Sequence, residues 1–302
     1  MHKKSLRETI KEITNNHLLE ENGLVMGQCL TAVGWVGGTL PELHEKDGMV
    51  DISMADVAGG GFAVGAALAG RKPMYVIRYQ GFNWYNSVSI INYAAKSKEL
   101  WDVPCSIFVR SIAMEGGIGP VAGSSHHSLY YRMPGITIVS PMTPKEYIKA
   151  YNDFMNSDGV FYISEHRKSY DMIEDMEDIL NPNPDITLFA ISITRFSAIE
   201  ASNLAKKLNI IVNVVHIYNI KPLSFSESAI NSLINSKYGG IVLDDDYVNG
   251  IAKSIANDLN HLTNKKVNCI GLEDKTAGFY SKVDNLPPDA KKIIEFICNV
   301  MK

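Results

Sequence analysis

The sequence predicts an α/β chain of two domains, each a mainly parallel sheet flanked by helices, and three observations predict it. Short apolar runs alternate with stretches long enough for helices from residue 23 to about 165; a break rich in acid and proline follows at Met172 to Pro184; the alternation then restarts over a shorter span. The runs are apolar throughout, as strands covered on both faces are.

Leu6, Ile10, Ile13, Leu18 and Leu19 fall at near-helical spacing over residues 5–21, with Ser5 and Glu8 placed as a capping box. This helix feeds a first strand at Gly23 to Met26. Met74 to Ile77, Cys105 to Val109, Ile136 to Val139 and Val160 to Ser164 read as further strands of the same sheet. The NPNP stretch within 181–184 continues neither helix nor strand and suits a linker. The domains are therefore expected at 1–175 and 186–302, with residues 176–185 between them. In the second, Ile186 to Ile191, Ile210 to Ile217 and Gly240 to Leu243 are expected strands. Helices are expected over Ser197 to Leu208, from about Val248, and over Ala290 to Met301.

With 302 residues, 46% of them hydrophobic and 21% charged, the chain is long enough to bury two cores. A net charge of −4 and a pI near 6.1 offer nothing to a phosphate backbone, so nucleic acid is not an expected partner. The opening MHKKSLRETIKEITNN is basic and then amphipathic, and no apolar run reaches signal-peptide or membrane-spanning form; a soluble, cytoplasmic protein is expected. Cys29, Cys105, Cys269 and Cys298 are far apart and predict buried thiols, with neither a zinc site nor a disulfide framework.

Four segments could carry chemistry. Residues 51–70 run from a strand end through Asp56 into glycines and a small-residue helix; Asp56 is a lone acid that could equally be a helix cap, and the glycines fit close packing better than a phosphate loop. Residues 75–86 place Phe82, Trp84 and Tyr85 directly after a strand, where aromatics pack in a core or face a flat ring. Residues 116–128 form a glycine- and serine-rich loop ending in His126, His127 and Ser128, suited to proton transfer or anion contact. Glu165 to Lys168 is expected as a solvated, ion-paired end. Outside these, Asp244 to Asp246 is read as a solvated acidic run rather than a cation site.

Taken in order, these segments resemble the β subunits of the thiamine-dependent decarboxylase component of 2-oxoacid dehydrogenase complexes and, more distantly, the carboxyl-terminal half of transketolases. The resemblance runs nearly end to end and rests on GAALAGRKP (65–73), NYAAKSKEL (92–100), VPCSIFVR (103–110), the HS pair at 127 and 128, MPGITIVSP (133–141), ITLFAISITRFSAIEA (186–201) and YNIKPL (218–223). It implies a pyrimidine-binding fold followed by a transketolase C-terminal-like domain. It also implies thiamine diphosphate as cofactor, with Mg2+ and the diphosphate held mainly by an α-type partner chain that carries the GDG motif absent here. An α2β2 assembly and a small 2-oxoacid or ketose substrate follow from the same resemblance, and no metal ligand is expected on this chain.

Residue by residue, the resemblance places the catalytic carboxylate at Asp56, where the family has a glutamate; it would share a proton with a pyrimidine ring nitrogen. Phe82 takes the place of the aromatic that stacks on the pyrimidine, Met54 an apolar position beside it, and Tyr85 a position more often held by glutamine. His127 matches the histidine that acts on substrate or intermediate, with His126 and Ser128 as possible loop contacts. The histidine loop is shorter before PG than in the dehydrogenase subunits, and the opening GQCLTAVGWVGG lacks their acidic start, which leaves a transketolase-like or carboligase subunit open. A non-catalytic scaffold subunit and a nucleotide-binding oxidoreductase are the further alternatives.

Overall fold

The computed structural model describes residues 3–21, 23–114, 123–278 and 282–302. The described residues divide into two compact units, one within 3–114 and 129–175, the other within 123–128 and 176–302.

The first unit begins with α1 (Leu6–Leu19), whose N-cap Ser5 and Glu8 form the reciprocal capping box that the sequence predicts. There follow β1 (Leu24–Gln28), α2 (Ala32–Gly38), β2 (Met49–Ile52), α3 (Asp56–Leu68), β3 (Pro73–Ile77), α4 (Asn83–Ser89), a π-helical turn at Ile90–Ala94, and α5 (Ala95–Trp101). β4 (Ile107–Ala113), α6 (Ser128–Tyr131), β5 (Ile136–Val139), α7 (Pro144–Met155) and β6 (Val160–His166) continue the chain. Strands of this unit run β2-β1-β3-β4-β6-β5, every pairing parallel. All seven residues of β4 and of β6 are buried, which is why their sequences show no polar alternation.

The second unit carries β7 (Ile186–Ile191), α8 (Thr194–Lys206), β8 (Val212–Ile217), β9 (Asn219–Lys221), α9 (Glu227–Asn235), β10 (Gly240–Tyr247), α10 (Ile251–Thr263), β11 (Val267–Leu272) and α11 (Ala290–Val300). Its parallel sheet is ordered β11-β10-β7-β8. Ile186, Leu188, Ala190, Val212, Val214, Ile241 and Leu243 meet α8 and α11 through Ala198, Ala201, Ile293 and Ile297 in a continuous apolar core.

Several expectations are corrected. The stretch expected as a linker, residues 176–185, is held on the second unit: Ile179 exchanges backbone hydrogen bonds with Val214 at 2.8 and 2.9 Å, and Asn181 bonds Asn213. Residues 123–128, which follow β4 in the sequence, group with the second unit. Glu165 and His166 are not a solvated end. Glu165 takes a two-pronged bond from Arg110 (2.7 and 3.0 Å) and hydroxyls from Tyr147 and Tyr170 (3.0 and 2.8 Å), all fully enclosed. Such a pair is held in the interior because both carboxylate oxygens are matched by the guanidinium's Nε and Nη2 and by two hydroxyls. Of the four cysteines only Cys105 is fully buried, and burial pushes its thiol up to about 11; the other three are half-buried.

Candidate functional site

The pocket in the first unit is built at the carboxyl ends of β1 and β3, where parallel sheets present their ligands. Gln28, Cys29, Met54, Asp56, Val76, Ile77, Arg78, Tyr79, Phe82 and Asn86 enclose about 160 Å3. Asp56 opens α3 but is not its cap: the N-cap is Ala55, which makes no side-chain capping bond. The first turn of a helix favours a negative charge there. The Asp56 carboxylate is instead engaged across the pocket, accepting a hydrogen bond from Asn86 Nδ2 at 2.8 Å.

Phe82 is fixed by a buried polar lattice under the start of α4. Gln80 donates to the Ser111 carbonyl and to Ser164, Asn83 to the Tyr162 hydroxyl at 2.7 Å, and Ser111 to Asn83. Tyr130 stacks on Tyr162 with centroids 4.0 Å apart and closes the lattice against Ser87. The structure thus brings Met54, Asp56 and Phe82 together on one pocket. Tyr85 lies on a second, shallower hollow that Asp56 also borders, with Ala55, Val57 and Ala58. Around these openings Met54, Val57, Phe62, Trp84 and Tyr85 are all more than half exposed, an apolar face on α3 and α4.

Gln28, Arg78 and Asn86 are lining residues that sequence reasoning missed. Asn86 sits one helical turn after Phe82, on the same face of α4, and that spacing was the available signal. Gln28 Nε2 and Arg78 Nε are buried donors with no hydrogen bond, which suits a polar, flat group in the pocket. An aminopyrimidine fits this set: a carboxylate for a ring nitrogen, an aromatic and a thioether for the ring faces, and donors at the rim.

His126, His127 and Ser128 belong to the second unit; the loop ahead of them, 116–122, lies outside the described residues. His127 is fully buried and bonds Asp244 Oδ1 through Nε2 at 2.9 Å, with Asp246 at 4.0 Å. The three aspartates, expected as a solvated run, are enclosed: Asp245 accepts from Ser125 (2.6 Å) and Ser192 (3.0 Å), and Asp246 from the Ser128 backbone N–H at 2.9 Å. Ser128 Oγ caps the start of α10 by accepting from Ile251 N at 3.0 Å. Burial alone would push the His127 imidazole down, but Asp244 first, then Asp246 and Asp245, outweigh it and hold it up at about 10. His126 is pushed down by its own burial and by the neighbouring His127 charge. The arrangement is an ion-paired network in which the His127 imidazolium balances part of a buried acidic cluster.

The sequence matches the transketolase pyrimidine-binding domain over residues 2–172 and the transketolase C-terminal domain over residues 177–285. Among curated proteins it is 25% identical over 280 residues to a pyruvate dehydrogenase E1 component subunit beta of Rickettsia bellii, covering 83% of each chain. It is also 25% identical over 247 residues to a 2-oxoisovalerate dehydrogenase subunit beta of Bacillus subtilis, covering 72% of each. Among solved structures, a split-gene transketolase described as an inactive β4 tetramer superposes with a TM-score of 0.71 at 15% identity, covering 99% of this chain and 98% of the other. The fold, the pocket at the strand ends and the two domain matches have one conclusion: the chain belongs to the transketolase family, with a pyrimidine-binding domain followed by a transketolase C-terminal domain.

Proposed function

We propose that this chain is the β-type, pyrimidine-binding subunit of a heteromeric thiamine diphosphate-dependent enzyme that decarboxylates a 2-oxoacid and passes the acyl unit to an acceptor. The observation that carries the reading is the pocket on which Asp56, Phe82 and Met54 converge, in a chain whose relatives are named as dehydrogenase β subunits. When bound, thiamine diphosphate supplies the electron sink for cleaving a bond beside a carbonyl.

This chain's residues bind and orient. Phe82 and Met54 would hold the pyrimidine ring from its faces, and Asp56 would share a proton with its ring nitrogen. Tyr85 borders the mouth from the adjoining hollow. Mg2+ and the diphosphate fall to an α-type partner carrying GDG, a motif this sequence lacks, and the apolar face of α3 and α4 supplies surface for a partner of that kind. The assembly proposed is α2β2, cytoplasmic, with the first domain ending near residue 175 and the second running from there to residue 302. His127 supports the second domain's acidic cluster, and His126 and Ser128 line the same loop. A ketose donor with an aldehyde or ketone acceptor is the second reading, favoured by the doubled histidine before a short loop.

Calorimetric titration of thiamine diphosphate with Mg2+ into the chain alone and into the chain assembled with its α-type partner tests the reading. Binding confined to the pair is expected, with Asp56→Ala lowering turnover of the pair at least about 100-fold. A pair that takes up no cofactor, or an Asp56→Ala pair of unchanged activity, replaces the catalytic reading with that of a scaffold subunit.

A further inference from the structure

The Asp56 carboxylate is gripped from behind. Asn86, 4% exposed, donates from Nδ2 to Asp56 Oδ1 at 2.8 Å and to the Phe82 carbonyl at 2.9 Å, while its Oδ1 accepts from the Tyr75 hydroxyl. The amide cannot flip: the Phe82 carbonyl only accepts, so the NH2 end must face it, and the oxygen is left to the phenol. Tyr75 is itself enclosed. Burial, and then the charge of Asp56, push its phenol well above the ordinary range, so it remains an O–H donor.

The backbone is shaped around this relay. A Cβ on Gly60 would stand 2.3 Å from the Asn86 carbonyl oxygen, and one on Gly59 would stand 2.6 Å from the Tyr75 hydroxyl. Two glycines in the first turns of α3 therefore let α4 and β3 approach closely enough for Tyr75, Asn86 and Asp56 to form one chain of hydrogen bonds.

An aspartate is one methylene shorter than the glutamate that the sequence resemblance leads one to expect, and a carboxylate misplaced by about 1 Å can cost about 100-fold in rate. We propose that Asn86, oriented by Tyr75, is a positioning residue that clamps one oxygen of the short Asp56 carboxylate so that the group is presented to a pyrimidine ring nitrogen. This inference rests on the functional reading above and adds to it the device by which a short acid serves.

The test uses the full chain assembled with its α-type partner. Asn86→Ala is expected to lower kcat for decarboxylation of the 2-oxoacid that the wild-type pair turns over about 10- to 100-fold, while thiamine diphosphate affinity by calorimetry stays within about threefold. Adding Asp56→Glu to Asn86→Ala is expected to restore much of that loss, because the longer acid reaches without the clamp. An Asn86 with a merely structural role gives the opposite pattern: the two losses multiply, and affinity and melting temperature fall with rate. Diffraction from the chain carrying Asn86→Ala reads the same point without turnover. Asp56 spread over more than one rotamer supports the clamp, and a single unchanged rotamer overturns it. A wild-type pair that takes up no thiamine diphosphate sinks the functional reading and this role with it; a wild-type pair that binds and turns over, matched by Asn86→Ala, sinks the positioning role alone.

Discussion

At the scale of single residues, Asp56, Phe82 and Met54 could be picked out by counting along one contiguous segment from a recognisable motif, and the fold gathers them on one pocket. Asn86 was marked only by its one-turn spacing from Phe82, and Gln28 not at all, because its part depends on which strands and helices lie side by side. His127 shows the same limit from the other end. Its histidine pair was visible, but the aspartate it bonds lies 117 residues further on, and no local pattern joins them. The acidic triplet looked solvated for that reason; in the fold it is enclosed around an imidazolium. His127→Ala leaves those carboxylates buried without their cation and is expected to destabilise the chain by about 3–5 kcal/mol, read as a lowered melting temperature. In the double variant with Asp244→Asn, the loss is expected to be smaller than the sum of the two single losses. A His127→Ala chain that melts with the wild type would show the pair to be idle.

At the scale of elements, strand positions were legible from unbroken apolar runs, since burial on both faces removes any alternation. The strands β9 and β11 were not singled out: β9 is three residues long, and β11 opens on half-buried Val267, Asn268 and Cys269 rather than on an unbroken apolar run. The glycines of α3 read as packing residues without distinction, and the structure separates them. Gly60 faces the α4 backbone, whereas a Cβ at Gly65 would meet nothing within 4 Å. Gly60→Ala is therefore expected to push α4 away and cost about 1–3 kcal/mol. Gly65→Ala is expected to stabilise by about 0.5–1 kcal/mol through its helix preference. Denaturant titration of the two variants side by side checks both signs, and a Gly60→Ala chain as stable as Gly65→Ala would contradict the packing described for α3 and α4.

At the scale of the whole molecule, the acidic, proline-bearing break was the only mark of a boundary that the sequence carried, and nothing in it marked residues 123–128 as grouping with the second unit. The units also differ in how they answer to pH. In the first, His17 is enclosed against Tyr151 and burial pushes it down to about 4. The unfolded chain takes up that proton near 6.5 while the folded one refuses it, so stability drains as pH falls from about 6.5 to 4. In the second, His127 is held up at about 10, so its contribution is complete below about 6.5 and is lost as pH rises toward 10. His216, pushed down to about 3 by burial and Arg195, adds an acid limb there. Melting temperatures between pH 4.5 and 9.5 are expected to peak near neutrality, with His127→Gln flattening the alkaline side and sparing the acid side. An alkaline decline that survives His127→Gln would assign it elsewhere.

The open apolar face of α3 and α4 bears on supply as well as chemistry. Surface of that kind is tolerated in solution only while something covers it or its concentration stays low, and uncovered chains are steadily removed by the machinery that clears sticky protein. The steady-state level of this polypeptide is then governed by how much of its cover is synthesised alongside it. With the α-type partner proposed above as that cover, extra copies of this gene alone would add turnover rather than protein, and matched expression of two genes would be a requirement written into one helix pair.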